Sequence, residues 1–412
     1  MVTHPNLRPW LAVAATLSSL SVASCTRPGF PTYPEGYREF AYVANSTGNS
    51  VSVLDLVYLR PDRTIGVGNG PVAEAVNPRR DEVYVVNSLS STVSVIDTTR
   101  NTVIATIPVP RDPQFISVDG TGREAFVTST AANSVTVLDL VTHRAIGSVA
   151  AGGQPGMAVI SPDGRTLVVA NRAGGTVALY AAEITGAAEN GSTSVTAASA
   201  HLKLRATFAG CAGATSPVIL PDSSKAFVAC SKSRQVMSIW LAAAPDAWSA
   251  KQDASLLNDH LLALLNVGQN PAFLSLKPDG GEIFVSNQDS DSVSEIATQT
   301  NEVGSTYSIG NRPSHGLVSG DNGALWVSNM GAQAVSLYSI ADGKFLSSIR
   351  TGLAPDALAF SADEHLLLAA DTKSGDVAII RTTGRLGPAL FTILPAGGGP
   401  SAIVVKAMQP QP

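Results

Sequence analysis

Short runs of alternating apolar residues, separated by clusters of Asn, Gly, Pro and Asp, fill the chain from residue 40 to residue 406. Val51-Ser52-Val53-Leu54-Asp55 and Val93-Ser94-Val95-Ile96-Asp97 carry the two-residue period that sends successive side chains to opposite faces of a strand. The punctuating residues supply the backbone conformations and local hydrogen bonds that turns require. The pattern predicts an all-β protein of many short strands.

Aligned on itself, the chain repeats. Tyr42-Val43-Ala44-Asn45, Tyr84-Val85-Val86-Asn87, Phe126-Val127-Thr128-Ser129 and Val168-Val169-Ala170-Asn171 follow one another at steps of 42 residues. Phe227-Val228-Ala229-Cys230, Phe284-Val285-Ser286-Asn287, Trp326-Val327-Ser328-Asn329 and Leu368-Ala369-Ala370-Asp371 continue the series. A second strand follows each, then a third ending in Gly, as in Thr64-Ile65-Gly66-Val67-Gly68. A fourth starts at Pro, as in Pro155 to Ile160, and closes with a turn such as Ser161-Pro162-Asp163-Gly164. Such units bury their faces only against one another, so they must form an array or a ring. The prediction is a β-propeller of eight four-stranded blades, with seven as the alternative if one unit is degenerate. The chain opens without a Pro-led strand and ends on Pro400-Ser401-Ala402-Ile403-Val404-Val405. N- and C-terminal strands are therefore expected to share the closing blade, which pairs edges otherwise left open.

These units resemble the YVTN repeat family of bacterial and archaeal surface propellers, over residues 40–406. The resemblance implies the propeller fold, and it points to surface-layer proteins and lactonase-like propellers as the related types.

Residues 1–24 read as a lipoprotein signal peptide. Arg8 supplies a positive start, and Trp10 to Val22 is an apolar core too short to span a bilayer. Val22-Ala23-Ser24-Cys25 resembles the bacterial lipobox, which implies lipidation of Cys25; an ordinary signal peptide with an incidental Cys is the alternative. Residues 25–39 read as a tether, rich in Pro and Gly from Thr26 to Tyr37, and residues 407–412 as a C-terminal tail. An exported, cell-envelope protein is expected, held to a membrane by lipid on Cys25, and to the outer membrane where there are two. A net charge of −5 with scattered Lys and Arg leaves no basic footprint for nucleic acid.

Units four and five are longer than the others between their second and third strands. The first insert, about Ala181 to Ala200, is rich in Gly, Ser, Thr and Ala and reads as a loop. The second, Ala242 to Leu265, has helical spacing at Leu256, Leu257, Leu261, Leu262, Leu264 and Leu265, so a short helix is expected. In unit five Cys230 replaces the Asn that ends the first strand, and Cys211 stands where unit four has Gly152. The repeat register places the two together, and an exported protein meets oxidising conditions. A Cys211–Cys230 disulfide is expected, two buried free thiols being the alternative.

The recurring Asn45, Asn87, Asn171, Asn287 and Asn329 read as structural, their amides bonding the neighbouring loop backbone. Non-repeating polar residues near the Pro of the fourth strand are better ligand-binding candidates: Arg111, Asp112, Gln154, Arg312, His315 and Asp356. Glu74 is the carboxylate at the middle of such a strand, without a nameable acid–base partner. After the signal segment only His143, His201, His260, His315 and His365 remain, none at ligand spacing. No metal, haem or other cofactor is expected, and no nucleophile elbow or phosphate loop occurs. The leading reading is a binding or interaction module for an unknown protein or small-molecule ligand. A lactonase-type hydrolase using Glu74, His315 and Arg312 is the enzymatic alternative. An electron-transfer subunit with a cofactor-bearing partner is a third.

Overall fold

Thirty-two strands, β1 to β32 in chain order, form eight four-stranded sheets among the described residues. The computed structural model describes residues 31–183, 202–242, 257–383 and 387–408. Each sheet is an antiparallel meander, and the eight Pro-led or equivalent strands are innermost: β4 (Pro71–Val76), β8 (Pro113–Val118), β12 (Pro155–Ile160), β16 (Ala214–Ile219), β20 (Pro271–Leu276), β24 (Pro313–Val318), β28 (Pro355–Phe360) and β32 (Pro400–Met408). Each of these touches the next, and β32 touches β4, so the ring is closed. The fold is an eight-bladed β-propeller.

Burial explains the sequence pattern. The Tyr-Val-x-Asn strand is covered on both sides by neighbouring blades, as along Glu82–Asn87, so its alternation fades into a continuous apolar run. The outermost strand, such as Thr102–Pro108, alternates because one side meets water. Tyr42, Tyr84, Phe126, Phe227 and Phe284 head the motif and are fully buried between blades. Each stabilises the ring by about 1.5–3 kcal/mol.

Blade 1 is the closing blade, with β1 (Arg38–Asn45) between β2 (Ser50–Asp55) and β32. β1 and β32 pair from Arg38↔Met408 to Asn45↔Pro400. Lys406 Nζ donates to the Asn77 and Arg80 carbonyls of blade 2 at 3.0 and 2.9 Å. On the other side, the Ala362 amide of blade 8 donates to Glu39 Oε1 at 2.6 Å.

Two expectations need correction. Leu261, Leu262, Leu264 and Leu265 belong to strand β19 (His260–Asn266), not to a helix. A bulge opposite Ser238 and Ile239 inserts one residue and shifts the alternation, which mimics helical spacing. Leu256 and the rest of residues 243–256, like most of the first insert, lie outside the described residues. The recurring Asn, in turn, does not bond the loop backbone. Asn45, Asn87, Asn287 and Asn329 donate through Nδ2 to Ser52, Ser94, Ser294 and Ser336 at 2.9–3.0 Å. The loop instead lies against the Asn so closely that a Cβ on Gly152 would come within 2.5 Å of Asn171 Nδ2. In blade 5 those two places hold Cys211 and Cys230, joined by a disulfide with Cα atoms 4.7 Å apart.

Candidate ligand-binding channel

Every innermost strand carries one extra residue just after its start. The pairing steps from Pro71 to Ala73 in β4, from Pro155 to Met157 in β12 and from Pro313 to Gly316 in β24 against fewer partner residues, and the other five strands do likewise. Such bulges re-aim side chains. Here they turn the second and third residues of the strands toward the axis, where Val72, Ala73, Gln114, Phe115, Gly156, Met157, His315, Ala357, Ser401 and Ala402 line one cavity of about 530 Å³. That volume suits a small organic molecule.

The residue before each innermost strand is left-handed in all eight blades: Gly70, Asp112, Gln154, Gly213, Asn270, Arg312, Ala354 and Gly399. Five are not glycine, and they hold φ of +51° to +58°, an unusual conformation for residues with a Cβ. Side chains from the preceding loops secure it. Asn133 Oδ1 accepts the Gln154 amide at 2.8 Å, and Asp291 Oδ1 accepts that of Arg312 at 2.8 Å.

Not all the candidate residues converge. Gln154 and His315 line the cavity, together with Asp112 and Glu74. Asp356 joins them through His315, whose Nδ1 lies 2.7 Å from Asp356 Oδ1. Arg111 and Arg312 are exposed and stand outside the lining. The His315 ring also packs on Phe273, with centroids 4.4 Å apart. Burial pushes the Asp356 carboxyl up, but the His315 imidazole and the Ser314 hydroxyl outweigh it and hold the group below the usual carboxylate range. With Nδ1 held by Asp356, Nε2 is the free nitrogen of His315.

Glu74 takes the place that Ile116, Leu274, Leu358 and Ile403 hold in other blades. Neither carboxyl oxygen has a partner of good hydrogen-bond geometry, the Ala44 backbone N–H interacting only weakly with the group. Burial pushes its pKa well above the usual value, and the Ala44 backbone N–H counters only part of that.

Arg172 lines the cavity and was not among the sequence candidates. It directly follows the Asn171 that ends its strand, where other blades have Ser46, Ser88, Thr130, Gln288 and Met330. A single cation in that column is the signal that could have found it. A Cβ on Gly156 would stand 3.5 Å from Arg172 Nη2, so this glycine leaves room beside the guanidinium.

The hydroxyls near the channel are engaged within the fold. Ser401 Oγ is engaged with the Ala44 and Pro71 carbonyls at 3.2 and 2.9 Å. The Ser328 hydroxyl near the His315–Asp356 pair is buried and bonds the Asp356 carbonyl at 2.7 Å. No group of three or more His, Cys, Asp or Glu among the described residues could hold a metal ion.

Comparison with known proteins speaks to fold. The model of the YNCE-like beta-propeller family matches residues 12–164, less than half of the chain. No curated protein matches. Among solved structures, dihydro-heme d1 dehydrogenase NirN is 15% identical with a TM-score of 0.67, covering 92% of this chain and 77% of its own. AztD of Citrobacter koseri is 11% identical with a TM-score of 0.65, covering 91% and 99%. A putative 6-phosphogluconolactonase of Bacteroides fragilis is 13% identical with a TM-score of 0.60, covering 92% and 100%. Proteins of such different description share the ring, so function must be read from the channel. With its closed ring of eight blades and a family match in its first 164 residues, this chain is a β-propeller protein.

Proposed function

We propose that the chain is an exported, lipid-anchored binding module that takes a small molecule into its central channel from the loop face. The carrying observation is the 530 Å³ cavity, where the repeat abandons its consensus and sets Asp112, Gln154, Arg172 and His315 among apolar walls. Polar groups few in number and convergent on an apolar pocket are the mark of ligand recognition. The segment from Arg8 to Cys25 supports export and lipidation of Cys25, with residues 26–37 as the tether. The lactonase reading finds less support: Arg312 is outside the cavity, Glu74 is buried without a partner, and no free nucleophile stands beside His315.

The test is extraction. Protein purified from its own membrane fraction is denatured, and released small molecules are identified by mass spectrometry. Wild type should release a stoichiometric compound that the channel-filling variant Gly156→Trp lacks. Equal yields from both would overturn the reading. The same preparation should show an acylated Cys25 at its N-terminus, and an unmodified cysteine or another cleavage point would remove the anchor.

A further inference from the structure

Cations stand on both faces of the ring, and at the channel one of them lines the cavity, Arg172. On the face of the turns that follow the innermost strands several cations are paired: Arg60 with Asp55, Arg63 with Asp62, Arg80 with Glu82, and Lys277 with Asp279 and Glu282. Arg79, Arg123 and Arg144 lie in or beside the same turns without a side-chain ion pair among the described residues. Arg205 grips Asp259 through two nitrogens at 2.5 and 2.8 Å. The loops around the channel mouth carry Arg111, Arg172, Lys232, Arg234, Arg312 and Lys373. None of these six side chains makes an ion pair or a hydrogen bond within the protein, among the described residues.

Their potential carboxylate partners are fewer and mostly occupied. The same loops hold Asp112, Asp289 and Asp291. Asp112 accepts from Gln114 Nε2 at 2.5 Å. Asp291 accepts the Arg312 backbone amide and the Asn311 side chain, at 2.8 and 3.1 Å. These carboxylates are spent on loop geometry, and the guanidinium groups remain available.

Unpaired cations around a concave, low-dielectric opening focus a positive potential into it and draw anions. Arg172 carries that potential inside, since it lines the cavity beside Gly156. The same lining offers apolar surface at Phe115, Met157, Leu358 and Ile403, beside the polar Gln114, Gln154 and His315 and the carboxyls of Glu74 and Asp112. The cavity thus sets one guanidinium without an ion pair, Arg172, beside apolar surface. We infer that the channel ligand is a small organic anion, an apolar body bearing a carboxylate or a phosphate, with its charged end at Arg172 and its body against Phe115 and Met157. A planar guanidinium suits both anions because it offers two parallel donors. This inference rests on the channel-binding reading and adds the charge of the ligand to it.

The experiment holds the body constant and varies the head. Octanoate, octyl phosphate, octanamide and octylammonium are titrated into the purified protein by calorimetry. Octanoate or octyl phosphate should bind at least tenfold more tightly than the amide and the amine, and the better of the two identifies the head group. Arg172→Gln should remove most of that preference, and raised salt should weaken it. Lys344→Gln, on the outer wall, should leave it unchanged, and Gly156→Trp should abolish binding of every probe. Amide or amine binding as tight as that of the anions, lost in Gly156→Trp, would overturn the charge inference and leave the channel reading intact. No binding of any probe, or binding that survives Gly156→Trp, would overturn both.

Discussion

Asp371 and Asp376 face each other at the loop end of two adjacent strands in blade 8, where blade 2 sets Asn87 against Thr92 and blade 6 sets Asn287 against Ser292. Asp371 is fully buried. Burial and the neighbouring Asp376 push its pKa up to about 7, against the Gly352 amide that donates to Oδ2 at 2.9 Å. A carboxyl whose pKa is higher in the folded state supports folding fully below its unfolded value, about 3.9, and loses that support as pH climbs toward 7. Asp371→Asn restores the residue that five other blades carry there. It should melt a few degrees above wild type at pH 8 and show no such advantage at pH 4. A variant that melts lower at pH 8 would mean the pair is not a strained substitute for Asn.

Glu74 extends the same reasoning to the seam between blades 1 and 2. Its pKa too is raised, so stability should fall above about pH 4.5 by up to about 1.4 kcal/mol per pH unit until the folded-state group ionises. Glu74→Ile, copying Ile116 and Ile403, should be more stable than wild type in urea at pH 7, with a flatter pH profile. Equal stability of the two at every pH would show that the carboxyl is solvated or paired after all.

The disulfide of blade 5 can be reverted to the pattern of its sisters. Peptide mapping without reductant should find Cys211 linked to Cys230. Closing a loop across a sequence separation of 19 should stabilise the fold by about 3 kcal/mol. Cys211→Gly with Cys230→Asn recreates the Gly152–Asn171 pair, so the double variant should fold and lose less than Cys230→Ala does. Two freely alkylatable thiols in protein from an oxidising compartment would argue against the bridge.

Ring closure predicts a disproportionate cost for a short deletion. Removing residues from Gly397 onward takes away β32, and with it the pairing to β1 and the Lys406 bonds to blade 2. Unfolding by urea should shift to much lower concentration, and the exposed edge of β1 should promote aggregation. A truncated chain that melts like the full one would mean that the shared blade contributes nothing.

The strands and their order were legible because Tyr42, Tyr84, Phe126 and their counterparts must be buried in every blade, so the same physical demand recurs in register. Leu261 to Leu265 misled because one inserted residue breaks a two-residue period in a way that periodicity alone reads as a helix. The channel was legible in part. Gln154 and His315 stood out as polar exceptions beside a Pro, and the structure sets both in the cavity. Arg111 and Arg312 looked equivalent by position, yet both stand outside the cavity that Asp112 and Gln154 line, and no periodicity records that difference. Arg172 escaped notice because it comes to the cavity from the end of a different strand.

The bulge in each innermost strand separates two kinds of inheritance. Residues that close the ring lie between blades and answer to packing, whereas those at the bulge face an open axis and answer to whatever occupies it. A substitution such as alanine to histidine between equivalent positions, as from Ala357 to His315, alters recognition while leaving the neighbouring ladder paired. Duplicated units can therefore differ along the axis one blade at a time while each keeps its strand pairing.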